Sequence, residues 1–140
     1  LVGSEMCIRD SYYTNSTKLP ADYDGTLQGA LINQDSLQPL YTTGTVFHVY
    51  MERELEDWKK ARDLLSSMIT EHHIPCFTLS PVYTICQTCG YLPGRQERCP
   101  KCNGAADVYS RIAGYYRPVH DWNDGKAQEF RNRIMFRIGE

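Results

Sequence analysis

Residues 86–102 read CQTCGYLPGRQERCPKC, and the fold around them depends on how these cysteines are used. Two Cys-x-x-Cys pairs, Cys86/Cys89 and Cys99/Cys102, are separated by nine residues. Each Cys-x-x-Cys turn aims two thiolates at one point. Two such turns complete the tetrahedron that Zn²⁺ accepts at a closed structural site. Gly90 and Gly104 follow the pairs, where the backbone has to fold back past the sulfurs. Pro93-Gly94 is expected at the tip of the intervening hairpin. A redox dithiol is the alternative for a single pair, but two pairs at zinc-ribbon spacing argue against it. A rubredoxin-like iron site takes the same four ligands and stays open. Four thiolates leave no free coordination position, so the metal is expected to be structural rather than catalytic. Arg95, Arg98 and Lys101 keep a second reading available: a zinc-ribbon module that contacts nucleic acid or protein. Tyr91 is the one aromatic interleaved with them.

Upstream of the cysteines the chain reads as strand, helix, strand. Thr45 to Val49 in YTTGTVFHVY is expected as a short strand after a turn at Gly44. Leu55, Trp58, Ala61, Leu64, Leu65, Met68 and Ile69 recur at three- and four-residue steps, which predicts an amphipathic helix over 52–71. Glu52, Glu54, Glu56 and Asp57 would sit in its first turns, where the helix dipole favours anions. His72 and His73 would complement the other end, and Pro75 prevents continuation. The apolar face is broad and includes Trp58, which implies a substantial partner surface. CFTLSPVYTI is strand-like, interrupted by Pro81. This order is the ingredient of a parallel βα unit. Cys76 is expected as a buried core residue and His48 as a structural histidine; His120 has no evident partner. A shorter helix is expected within 26–39, ended by Pro39. After the cysteines, 108–119 read as an extended or looped segment, WNDG at 122–125 as a turn, and 126–134 as weakly helical.

Composition limits the alternatives. The chain has 140 residues, enough for one ordinary domain. With 41% hydrophobic residues it can form a core, and a net charge of −2 implies no polyelectrolyte partner. No apolar run approaches the length of a membrane span, and no secretory signal is legible. The Asn15-Ser16-Thr17 sequon is therefore read as incidental. The opening LVGSEMCIRDS resembles a translated sequencing-adapter remnant, so residues 1–11, with Cys7, are set aside and the rest is expected to be a fragment.

RIAGYYRP at 111–118 places Gly114 among bulky side chains. Taken alone, such a glycine marks a bend or a close backbone approach. The order of features gives another reading. YYTNST, GTVFH, the long helix, SPVYTIC, the cysteine quartet, SRIAGYYRPV and WNDGKAQEF together resemble the C-terminal portion of the anaerobic (class III) ribonucleoside-triphosphate reductases, over about residues 12–130. The family motif often has a cysteine beside the glycine; here Ala113 stands there.

The resemblance implies an α/β fold that is the C-terminal part of a ten-stranded glycyl radical barrel, with a small zinc-ribbon-like four-cysteine element and a radical loop. Residues 12–84 would belong to the barrel, 85–105 to the metal element, 106–130 to the radical loop and C-terminal segment, and 131–140 to a tail. Gly114 would carry the radical. A Cα radical is shared between the amide nitrogen and the carbonyl, which flattens the centre, and glycine has no side chain to crowd the adjoining peptide planes. An activating enzyme with an iron–sulfur cluster and S-adenosylmethionine would abstract its hydrogen. A cysteine upstream of this chain would become the thiyl radical that attacks the ribose of a ribonucleoside triphosphate, with formate or a dithiol system as reductant. The family further implies a homodimer in the cytoplasm, without membrane or nucleic-acid partners. Thr14, Asn15, Ser16 and Thr17 have hydroxyl and amide groups suited to substrate phosphate at a loop–helix junction, or equally to a capped turn. Tyr115 and Tyr116 are expected as packing groups.

Overall fold

The computed structural model describes Tyr12, residues 19–42 and residues 44–138. The segment 1–11 and the candidate phosphate contacts Thr14, Asn15, Ser16 and Thr17 lie outside the described residues. The architecture is α/β. Helix α1 (Leu27–Asp35) leads through a 3-10 turn (Gln38–Leu40) to β1 (Phe47–Met51), α2 (Trp58–Glu71) and β2 (Phe77–Pro81). Strands β3 (Tyr83–Cys86), β4 (Gly90–Pro93), β5 (Ala106–Arg111) and β6 (Tyr116–Pro118) follow, and α3 (Asp124–Asn132) closes the order.

β1 and β2 pair in parallel with Phe47 opposite Phe77 and Met51 opposite Pro81, so the expected βαβ unit is present. Ala30, Leu31, Phe47, Val49, Met51, Met68 and Ile74 form its core, with Leu55, Leu64 and Phe136 packed against it. The second sheet is antiparallel, in the order β4-β3-β5-β6. One nearly continuous extended segment serves both sheets. Pro81 stands opposite Met51 in the last pair of the β1–β2 ladder, where its missing N–H would face away from β1. Val82 then donates its N–H to the Met51 carbonyl (3.0 Å), and from Tyr83 the chain pairs with β4 and β5 instead. Val82, Trp122 and Phe130 form a second core under this sheet, joined by Val108, Ile112 and Met135.

Several sequence expectations change. Helix α2 begins at Trp58, not near residue 52. Asp57 is its N-cap, its carboxylate accepting the Lys59 N–H at 2.8 Å, so the preceding acids lie outside the helix. Trp58 does not face the core; it is 66% exposed. Cys76 is exposed rather than buried, because it precedes β2 and its carbonyl, not its side chain, faces β1. Pro93-Gly94 is not a hairpin tip. It ends β4 opposite Tyr83, and the β3–β4 reversal is the Cys86–Cys89 knuckle itself. His72 caps the C-terminal end of α2 as expected, with His73 next to it, and both also reach Asp35 of α1. The His73 backbone N–H donates to the Asp35 carboxylate, and this bond holds the carboxyl below its ordinary range. His120 has partners, Asp107 at 3.6 Å and Asp121 at 3.3 Å. WNDG is the entry to α3, capped by the Asn123 side chain on the Lys126 N–H (2.9 Å). The tail is tied down: Phe136 bridges to Met51 and donates its N–H to the Tyr50 carbonyl (2.8 Å).

Candidate functional site

The metal element grows from two short reversals. In the first, β3 ends at Cys86 and β4 starts at Gly90, whose φ of +78° is a backbone that side chains disfavour. The Cys89 N–H points to the Cys86 sulfur at 3.4 Å. In the second, the Asn103 N–H donates to the Cys99 carbonyl (2.8 Å) and the Cys99 N–H to the Gly104 carbonyl (2.9 Å). Asn103 takes the left-handed φ of 58°, and a Cβ at Gly104 would lie 3.3 Å from the Cys102 sulfur. The folding back expected at both glycines is therefore observed. Sequence and loops together bring Cys86, Cys89, Cys99 and Cys102 into one cluster, with all four sulfurs within 4.8 Å of one another.

This arrangement fits a metal. A Zn–S bond of ~2.3 Å at tetrahedral angles separates sulfurs by about 3.8 Å, and Cys86 and Cys102 already stand 3.5 Å apart. Backbone amides prepare the charge. The Cys102 N–H, then that of Lys101, donates to Cys99 and pulls its thiol down to about 6. Sulfur contacts from Cys102 and Cys99 push Cys89 up to about 12, because unbound thiols this close must share protons. A cation in the middle replaces those protons and satisfies all four sulfurs at once. Arg95, one of the basic residues beside the knuckles, is engaged with Glu97 (3.1 Å) and lies over the Phe130 ring (5.5 Å).

From Cys102 the chain passes Gly104 and enters β5, which pairs with β3 from Cys86↔Ala106 to Tyr83↔Tyr109. β5 then turns into β6. The Ile112 N–H donates to the Tyr115 carbonyl (3.1 Å), leaving Ala113 and Gly114 at the hairpin tip. The backbone reasons for a glycine can be tested directly at this position. Gly114 does not adopt a positive φ, unlike Gly44, Gly90 and Gly94. A Cβ built on it meets nothing within 4 Å among the described residues. Gly114 thus lies in a bend at which neither a positive φ nor a close approach demands a glycine. Gly114 and Ala113 also line a cavity of about 730 Å³, together with His48, Tyr50, Arg133 and Phe136.

Polar groups surround the loop. Arg111 donates from Nη1 to the Gly114 carbonyl (2.9 Å) and from Nε to Ser80 Oγ (2.9 Å). Arg133 donates to Ser110 Oγ and to the Arg111 carbonyl, each at 3.3 Å, and to Glu129 at 2.7 Å. Its guanidinium lies 3.7 Å from the Tyr50 ring centre. His48, expected to be structural, bonds Thr78 across the parallel ladder at 2.7 Å. Tyr116 donates its hydroxyl to the Pro81 carbonyl (3.0 Å) and packs with Tyr83, itself stacked on Tyr109 at 5.4 Å. Burial raises the Tyr83 and Tyr116 phenols above their ordinary range. Tyr116 is thus a packing group as expected, while Tyr115 is exposed. A sequence signal for the tyrosine cluster existed: Tyr83, Tyr109 and Tyr116 fall on one face once β3, β5 and β6 are put in register.

The comparisons with known proteins fall on the same segments. The sequence profile described as anaerobic ribonucleoside-triphosphate reductase matches residues 4–136. Its match begins inside the segment set aside as a remnant. No curated protein sequence matches. Among solved structures, an anaerobic ribonucleotide reductase superposes with a TM-score of 0.65 at 18% identity, over 84% of this chain and 19% of its own. At that identity the superposition establishes a shared fold, and the chain spans about a fifth of that protein. No described helix is long and apolar enough to cross a membrane. With the profile covering nearly the whole length, the chain belongs to the anaerobic ribonucleoside-triphosphate reductase family.

Proposed function

We propose that this chain is the C-terminal piece of an enzyme that reduces ribonucleoside triphosphates to 2′-deoxyribonucleoside triphosphates anaerobically, and that Gly114 carries its stored radical. One observation carries the assignment. Gly114 sits at an exposed hairpin tip without a positive φ and with open space where a Cβ would go, which supports a chemical rather than a steric reason for a glycine there. Loss of one hydrogen atom from Cα leaves an electron spread over the flanking amide nitrogen and carbonyl. The acceptor of that atom is an organic radical that an S-adenosylmethionine-dependent iron–sulfur partner generates. The four-cysteine site, loaded with Zn²⁺, ties β5 to β3 and so holds the hairpin in register. Orientation at this scale controls hydrogen transfer.

Within this reading, β1, α2 and β2 are part of a larger α/β barrel. That barrel brings an upstream cysteine to Gly114 and the nucleotide to that cysteine. Thr14, Asn15, Ser16 and Thr17 are placed near the substrate phosphates, formate or a dithiol supplies the reducing equivalents, and the complete enzyme works as a cytoplasmic homodimer. The exposed Gly114 tip and the cavity it lines, about 730 Å³ in this chain, suit a loop that is shielded once the barrel surrounds it.

The test uses the complete reductase, activated under anoxia with its activating enzyme, S-adenosylmethionine and a reductant. A doublet electron paramagnetic resonance signal is expected, split by the remaining α-hydrogen, and Gly114→Ala should abolish it while zinc content stays native. Oxygen should then cleave the chain at Gly114. A Gly114→Ala protein that retains the doublet would sink the assignment. Salt-sensitive binding of labelled nucleic acid, without any radical, would instead favour a zinc-ribbon binding module.

A further inference from the structure

We infer that Arg111 is a positioning residue for the Gly114 radical: its guanidinium clamps the glycine's carbonyl oxygen and holds that peptide in the orientation an unpaired electron on Cα requires. The inference rests on the glycyl radical reading above and adds to it a residue and a physical role. Arg111 Nη1 donates to the Gly114 carbonyl at 2.9 Å across the hairpin tip. That oxygen belongs to the electron-accepting half of the radical. A cationic donor on it strengthens the acceptor, because charge-assisted hydrogen bonds are about twice as strong as neutral ones. It also resists rotation of the carbonyl out of the plane in which it overlaps the half-filled orbital.

The clamp is built rather than incidental. A lone surface arginine gains little from such a contact, since ordering its long side chain opposes it. Arg111 is fixed at three further points. Its Nε donates to Ser80 Oγ at 2.9 Å, and Ser80 is fully buried on β2. Its guanidinium lies 5.0 Å from the Tyr116 ring centre. Its own carbonyl accepts from Arg133 Nη1 at 3.3 Å. Two N–H groups of one planar fork therefore bridge β2 and the hairpin tip, which a lysine ammonium cannot reproduce. With no Cβ packing available at Gly114, this fork supplies the restraint that a side chain would otherwise give. No proton or electron passes to Arg111; the hydrogen atom leaves from Gly114 Cα alone.

The test compares wild type, Arg111→Met, Arg111→Lys and Ser80→Ala in the complete reductase, activated under anoxia and measured by high-field electron paramagnetic resonance. A hydrogen bond to a spin-bearing oxygen lowers its lone-pair energy and draws the largest g component toward the free-electron value. Arg111→Met and Arg111→Lys should therefore move that component away from it and shorten the anoxic lifetime of the radical several-fold. Ser80→Ala, which keeps the guanidinium but loosens its aim, should shift both in the same direction by less. Native zinc content marks the variants that fold. A folded Arg111→Met with wild-type g values and lifetime overturns the inference while the glycyl radical reading stands. If Arg111→Met fails to fold, a folded Ser80→Ala with a wild-type signature overturns it instead. A wild-type enzyme without any Gly114-dependent doublet overturns both.

Discussion

Arg133 brings a charge into the interior beside the Gly114 hairpin, with its side chain only 1% exposed. Glu129 neutralises it at 2.7 Å, and Lys126 holds the other Glu129 oxygen at 2.6 Å. Ser110 and the Arg111 carbonyl take Nη1, while Nε has no hydrogen-bond partner among the described residues and lies among the rings of Tyr50, Trp122 and Phe130. Breaking a buried pair from one side costs roughly 3–5 kcal/mol, because the other charge is stranded. Lys126 still serves Glu129, so Arg133→Ala is expected near the lower end of that range. Hydrogen exchange of the complete reductase should show it as faster exchange across α3 and β5. A change below 1 kcal/mol would mean that the aromatic box, not the ion pair, holds the residue. None of this was legible in the sequence. Arg133 stands in a weakly helical stretch, and its partners lie on three different elements. The clustering of the four cysteines was legible, because their spacing carries it, while the role given to Gly114 rests on the family motif. The Arg111 contact is only three residues long, yet it needs the hairpin register and the direction of one side chain.

Among the elements, the β3–β4 and β5–β6 hairpins share one mechanical path. Cys86 ends β3 and pairs with Ala106 at the start of β5, and β5 runs on to Arg111 at the foot of the Gly114 tip. Four metal–sulfur bonds would therefore fix the start of β5, whose other end leads into the Gly114 tip. Removing Zn²⁺ with a strong chelator should leave like groups crowded in the knuckles and fray residues 86–106. The parallel β1–β2 ladder, built on its own apolar core, should stay protected from exchange. The radical yield on activation should fall severalfold and return on adding Zn²⁺. Cys99→Ser should match the chelated protein. Undiminished radical in a zinc-free enzyme would show that the metal does not position the loop. The same elements show where sequence patterns stop being informative. Pro93-Gly94 has turn chemistry, but the chain reverses at the Cys86–Cys89 knuckle instead. The acids at 52–57 suit both a first turn and a cap, and only the Asp57 side chain bonding the Lys59 N–H decides between them. His72 and His73 stand at the helix end as their sequence position suggests, but their pairing with Asp35 of α1 has no local signal that announces a partner that remote.

At the scale of the molecule, the broad apolar surface of α2 divides into two stripes. At 100° per residue, Ala61, Leu64 and Met68 fall on one line, and Met68 is buried in the core with Leu64 against it. Trp58, Leu65 and Ile69 fall on a second line about 90° away. There Trp58 and Ile69 are 66% and 68% exposed. A breadth greater than one sheet can cover is what a helix needs when it packs between two layers. The sequence showed that breadth, and the described residues supply cover for half of it. If this chain is one part of a larger barrel enzyme, the second stripe is where the rest of that enzyme rests. Burying a tryptophan's 150–250 Å² is worth several kcal/mol at about 25 cal/mol per Å². Trp58 should accordingly be shielded in the complete reductase. Acrylamide quenching can read this in a variant where tryptophans other than Trp58, including the buried Trp122, are replaced by Phe. The quenching constant is expected to fall several-fold below that of free tryptophan, and Ile69→Lys should raise it and lower the melting temperature. Quenching as strong as for the free amino acid would leave the stripe in open water and remove the physical case for a covering layer.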